Sequence, residues 1–165
     1  MLIDAGYPSD FFVGDVSYSE NQIPSILEGR GIRTIDWLMA SHPHRGHIGG
    51  MPEIILSQDI EVGQLLWSPL VDETILRTEG ATAAVRMAHD LLDSCAQRDI
   101  PVIEVKQGDL FDLGNGVACE ILAAAEPESE VYSYVNNNSI VMRLAYGDFS
   151  MMFTGDAQFI EEDRI

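Results

Sequence analysis

The ten residues Ser41-His-Pro-His-Arg-Gly-His-Ile-Gly-Gly50 constrain this chain more than any other segment. Three of its four histidines fall here, directly after the apolar stretch from Thr34 to Ala40, which reads as a buried strand. At the strand end His42 and His44 point to the same side, because side chains on extended backbone alternate with period two. Pro43 between them argues against a helix. His47 then enters a following helix and can face back over the same point. Neutral imidazoles placed in this way suit Zn²⁺ or a similar borderline ion. The Gly49-Gly50 pair lets the backbone turn tightly beside a crowded site. The bland alternative is an exposed loop in which three histidines coincide. His89, alone inside a longer helical pattern, is read as structural.

Elsewhere the pattern alternates. Met1 to Ala5 reads as a short strand, residues 9 to 18 as a loop, and Asn21 to Gly29 as a helix with Ile23, Ile26 and Leu27 at helical spacing. Met51 to Leu56 is a short helix and Val62 to Trp67 a strand. Glu73 to Arg98 is the longest helix, with Val85, Ala88, Leu92 and Cys95 as its apolar stripe. A strand from Pro101 to Val105 follows. From Gly108 the pattern switches to strands and turns: Leu110 to Leu113, a Gly114-Asn-Gly116 turn, and Val117 to Leu122. A hairpin then pairs Ser139 to Tyr146 with Ser150 to Phe153 through Gly147-Asp148, and Ala157 to Ile165 starts a helix. Strands alternating with helices, then antiparallel strands, predict a single α/β domain over residues 1–165 with packed sheets.

Composition narrows the function classes. The chain has 9 basic and 27 acidic residues, a formal charge of -18. Such a surface repels phosphate backbones, so broad binding to nucleic acid is disfavoured. A phosphodiester substrate is still compatible, because bound divalent ions supply positive charge locally. The acidic clusters Glu126 to Glu130 and Glu161 to Asp163 read as solvated faces. No apolar run is long enough to span a bilayer. Met1 to Gly6 lacks the character of a signal peptide, which leaves the cytoplasm as the default expectation. Cys95 and Cys119 lack zinc-knuckle spacing and read as buried free thiols rather than a disulfide.

The histidine segment resembles the His-x-His-x-Asp-His signature, followed by Gly-Gly, of the metallo-β-lactamase superfamily. Leu2-Ile-Asp-Ala-Gly6, Gly108 to Val117, Asn136 to Val141 and Met152-Phe-Thr-Gly-Asp156 follow in the order the family shows. That set resembles the hydrolase domain of ComEC-type competence proteins and their free-standing relatives. The resemblance implies a metallo-β-lactamase-like four-layer αββα sandwich. It implies a metal-dependent hydrolase using Zn, or Mn, as one or two ions, on a small-molecule or phosphodiester substrate. His42 and His44 would bind the first metal, His47 the second, and Asp156 would bridge them, with His47 and Asp156 the catalytic pair. Asp4 would orient the histidine loop. Asn136 to Asn138 lie where many members carry a further histidine, and read here as a turn.

Two departures qualify this. Position 46, aspartate in the family, is Gly46, and Arg45 beside it adds positive charge where a cation must sit. A final strand and histidine that the family carries after Asp156 do not follow before Ile165, so the sandwich is expected to be incomplete at both ends, as in a fragment. The alternative expectation is therefore a degenerate, non-catalytic member of the fold with a weak or absent metal site.

Overall fold

The computed structural model describes residues 1–10, 23–68, 82–125, 135–158 and 165, and the backbone of 12–13 and 16–17. Two four-stranded sheets dominate it. The first is parallel, ordered β1 (Leu2–Ile3), β5 (Leu38–Met39), β7 (Leu65–Trp67) and β8 (Val102–Glu104). The second is antiparallel, ordered β12 (Phe149–Phe153), β11 (Val141–Tyr146), β10 (Val117–Ala123) and β9 (Leu110–Gly114).

Alternation along the parallel strands separates two cores. Leu2, Leu38, Leu65 and Trp67 face one side and pack with helices α1 (Ile23–Gly29), α3 (Met51–Leu56) and α4 (Thr82–Gln97) through Leu27, Met51, Ile54, Ala88 and Leu91. Ile3, Met39, Leu66 and Ile103 face the other side and meet Cys119, Ile121 and Met142 of the antiparallel sheet. This is period-two packing with both faces of a parallel sheet covered. The result is a mixed α/β arrangement of three layers among the described residues: helices, parallel sheet, antiparallel sheet. A fourth, helical layer is not among them. The outer side and free end of the antiparallel sheet leave Tyr146, Phe149, Met151 and Met152 at least half exposed.

The strands expected over 34–40 and 62–67 are each broken in two. β4 (Thr34–Ile35) pairs with β6 (Glu61–Val62) as a separate parallel ladder. At the break a Cβ on Gly63 would lie 2.7 Å from the Asp36 carbonyl oxygen, an approach that only glycine permits. The loop expected over 9–18 contains two short paired strands, β2 (Phe12–Val13) and β3 (Val16–Ser17). In α4 the fully buried leucine is Leu91, whereas Leu92 is only partly buried.

Both C-terminal hairpins form where expected, with positive φ at Gly114, Asn115, Gly116 and Gly147. Ala157, Gln158 and Ile165 are not helical, and residues 159–164 of the helix expected there lie outside the described residues, as do both acidic clusters and the first turns of the helix expected from Glu73. Cys95 and Cys119 are free and buried in different cores, on opposite faces of the parallel sheet. Burial pushes both thiols up to about 11. They are neither a disulfide nor thiolate ligands.

Candidate metal centre

The carboxyl ends of β1 and β5 lead directly into the site. Residues just beyond strand ends are a common location for ligands in parallel α/β sheets. After β1, Asp4 adopts a left-handed backbone, φ 56°, uncommon for a residue with a side chain though tolerated by Asp. This turn directs its carboxylate at the histidine loop. Asp4 Oδ1 accepts from the Ser41 N–H at 2.9 Å, and Oδ2 accepts from Ser41 Oγ at 2.7 Å and His47 Nδ1 at 2.8 Å. The same loop is held from behind, since the Ala5 and Gly6 N–H groups donate to the His47 carbonyl at 2.7 and 3.1 Å. His47 lies in α2 (Arg45–Ile48), which therefore cannot shift without breaking the Asp4 contacts.

These hydrogen bonds determine where the protons sit. A carboxylate only accepts, so the single Ser41 hydroxyl proton points to Asp4 and the His47 proton sits on Nδ1. Ser41 Oγ lies 3.1 Å from His42 Nδ1 and, its own proton being used, must accept there. The Nε2 atom of His42 thus carries a lone pair, and that of His47 carries one in the neutral form that binds a metal. They face Asp156: His47 Nε2 is 3.3 Å from Oδ1, and His42 Nε2 is 3.7 Å from Oδ2. The ligand atoms of His42, His47 and Asp156 all lie within 4.8 Å of one another, and the three can hold a metal ion. His44 stands beside this trio rather than within it, its Nδ1 2.9 Å from His42 Nε2 and its ring edge-on to the His42 ring.

The second sheet delivers Asp156. A 3₁₀ turn over Asn136–Asn138 ends at Ser139, which is fully buried, and the Ile140 N–H donates to the Ser41 carbonyl at 2.8 Å, joining the two sheets at the site. The Asp156 N–H donates to Ser139 Oγ at 3.2 Å. Gly155 before it has φ 52°, and a Cβ there would meet Ser139 Oγ at 2.9 Å and Ser41 Cβ at 3.1 Å.

Burial, followed by the neighbouring His47 and His44 rings, pushes His42 down to about 3, so it stays neutral across the ordinary pH range. Burial lowers His44 as well; Asp156 opposes this, His47 adds to it, and the Asn136 side chain beside His44 opposes it. Neutral imidazoles are the form that binds a metal.

Of the residues singled out from sequence, the structure brings together Asp4, His42, His44, His47 and Asp156. His89 is exposed on α4 and is not one of the trio. Ser41, Asn136 and Ser139 fall within segments that carry the family resemblance, but sequence patterns assigned none of them the framework role they have here. The one available signal for Ser41 was its place between an apolar strand and the first histidine. No protein-family model matches the chain, and no curated protein matches it. No helix among the described residues is long and apolar enough to cross a membrane.

Proposed function

We propose that the chain is a divalent-metal-dependent hydrolase of the metallo-β-lactamase fold, with phosphodiesters as the substrate class. The observation that carries the reading is the convergence of two imidazole lone pairs and a carboxylate. A cation between these atoms would take the place of the hydrogen bond that His42 Nε2 receives from His44 Nδ1 at 2.9 Å. The spacing suits a cation. Ligand bonds of about 2.0–2.2 Å at tetrahedral angles hold donor atoms roughly 3.3–3.5 Å apart. The His47–Asp156 pair is already at 3.3 Å. His42, His47 and Asp156 would hold the ion, zinc or manganese. His44 is the further donor if its ring turns away from the hydrogen bond to His42. Such an ion supplies Lewis-acid activation of water and of the scissile group. Asp156, its side chain 43% exposed, has the solvent access to take a proton from the attacking water, while Asp4 and Ser41 keep the two imidazoles in their ligating tautomers. Helices, parallel sheet and antiparallel sheet in that order are consistent with three layers of the αββα sandwich; the choice of phosphodiester rests on the ComEC-type resemblance.

A second reading, a non-catalytic scaffold of the same fold, is favoured by one observation: Gly46 offers no donor beside His47, and the Tyr7 ring covers it. Metal content separates the two. Protein purified without chelator is expected to carry about one equivalent of zinc or manganese, lost in His42→Ala, and to hydrolyse a generic phosphodiester such as bis(p-nitrophenyl) phosphate. No bound metal anywhere between about pH 6 and 8, where free histidines titrate, leaves the scaffold reading standing.

A further inference from the structure

A buried acceptor stands unused beside the centre. Asn136 opens the 3₁₀ turn that leads into β11, and this turn is tied down along its length. The Ser139 N–H donates to the Asn136 carbonyl at 3.0 Å, and Asn137 Nδ2 donates to Gln158 Oε1 at 3.3 Å, two residues beyond Asp156. Asn136 Oδ1 is shut off from solvent and accepts no hydrogen bond. A buried carbonyl oxygen without a donor is costly, and its retention calls for a role. The Asn136 side chain lies at hydrogen-bonding distance from the His44 ring. A neutral imidazole has a single N–H, however, and His44 gives it to His42, whose Nε2 accepts from His44 Nδ1 at 2.9 Å. Asn136 Oδ1 is left beside the ring with nothing to accept.

The other two imidazoles each have an oxygen behind the nitrogen that faces away from Asp156: Ser41 Oγ for His42 and Asp4 Oδ2 for His47. Such a partner fixes the tautomer and the orientation of a ligating ring. His44 lacks one only because its N–H is turned to His42. With an ion on His42 Nε2, that acceptor is gone and His44 has to place its N–H elsewhere. We infer that Asn136 is a positioning residue of the metal centre, its Oδ1 accepting the His44 N–H once an ion is bound, so that the other ring nitrogen of His44 becomes a fourth ligand beside His42, His47 and Asp156. The inference rests on the metal-centre reading above and names what brings His44 into that centre.

The test uses the full chain, with Zn²⁺ alone as the probe and calorimetry as the readout. Asn136→Leu keeps the bulk of the side chain and removes the acceptor. It is expected to weaken Zn²⁺ binding about 10–100-fold at unchanged stoichiometry. The urea midpoint of the metal-free variant is expected to be no lower than that of wild type, because the oxygen pairs with nothing there. Asn136→Asp keeps an acceptor and no donor at that place, and is expected to bind Zn²⁺ at least as tightly as wild type. In a His44→Ala background, Asn136→Leu is expected to change nothing further, since no ring remains to be oriented. Wild-type affinity in Asn136→Leu overturns the inference, as does a loss in Asn136→Asp equal to that in Asn136→Leu. A full loss in the His44→Ala background also overturns it, by making Asn136 a ligand in its own right. So does a metal-free midpoint that falls together with Zn²⁺ affinity, which marks a structural residue. Failure of the wild-type chain to bind Zn²⁺ overturns the metal-centre reading, and the role of Asn136 with it.

Discussion

At the scale of single residues, Asp4 has the most consequential position. One carboxylate orders both imidazoles that face Asp156, His47 directly and His42 through Ser41. Asp4→Asn replaces one acceptor oxygen with a donor, which opposes the protons on Ser41 Oγ and His47 Nδ1. Metal affinity is expected to fall about 10–100-fold, the usual scale for residues that orient ligands, with the circular dichroism spectrum unchanged. Unaltered affinity by calorimetry would contradict the proton assignment made here. His42 makes a prediction about pH. Its folded-state value of about 3 lies below the unfolded value of 6.5, so between these the unfolded chain binds the extra proton. The stability this confers is complete above pH 6.5 and is lost as pH falls from there toward 3. By pH 5 the loss is about 2 kcal/mol, and the lowered His44 acts in the same direction. Urea midpoints of metal-free protein at pH 7 and pH 5 are expected to differ more in wild type than in His42→Gln. Equal differences would show that the His42 ring is not buried in its neutral form. Much of this centre was legible in sequence because histidine and aspartate have few other reasons to cluster at a strand end. The roles of Ser41 and Ser139 were not, because a hydroxyl group becomes specific only through what the fold brings beside it.

At the scale of elements, the loop after β12 decides whether the second sheet reaches the first. Gly155 turns the chain with φ 52° against Ser139 and Ser41, and this places Asp156 opposite the histidines. Gly155→Ala combines an unfavourable backbone with a Cβ 2.9 Å from Ser139 Oγ. It is expected to cost about 1–3 kcal/mol in a urea titration and to weaken metal binding, because the displaced Ser139 also receives the Asp156 N–H. A variant as stable and as metal-avid as wild type would mean that the loop relaxes freely. The elements differ in how far sequence foretold them. The C-terminal hairpins were legible because Gly-Asn-Gly and Gly-Asp mark turns locally. The β10–β11 register, which sets Glu120 opposite Arg143 at 2.7 Å, is fixed by neither turn and was not. The parallel strands were drawn too long. Their interruption arises from the crossing of Gly63 over Asp36, a contact between segments far apart in the chain that no local pattern reports. The α4 stripe erred by one residue, Leu91 for Leu92, since helical periodicity leaves adjacent apolar positions nearly equivalent.

At the scale of the molecule, the centre sits on a seam. His42 and His47 are fixed to the parallel sheet and its helices, whereas Asp156 belongs to the antiparallel sheet. The two sheets share the core around Met39, Leu66, Ile121 and Met142, and at the rim they are joined by the Ile140 to Ser41 hydrogen bond. An ion held by all three side chains ties both layers together, so its binding energy becomes stability of the whole fold. The linkage is quantitative: free metal at 100 times its Kd adds about 2.7 kcal/mol, provided the unfolded chain does not compete for it. For a chain of this size that is a rise in Tm of roughly 5–10 °C. Titration with Zn²⁺ or Mn²⁺ is therefore expected to raise Tm progressively with concentration in wild type, and not in His42→Ala or Asp156→Ala. Asp156→Ala distinguishes a bridging ion from one bound to the histidine loop alone. If it retains the full shift while His42→Ala loses it, the ion stays within one layer and the two sheets are held together by their shared core and backbone contacts.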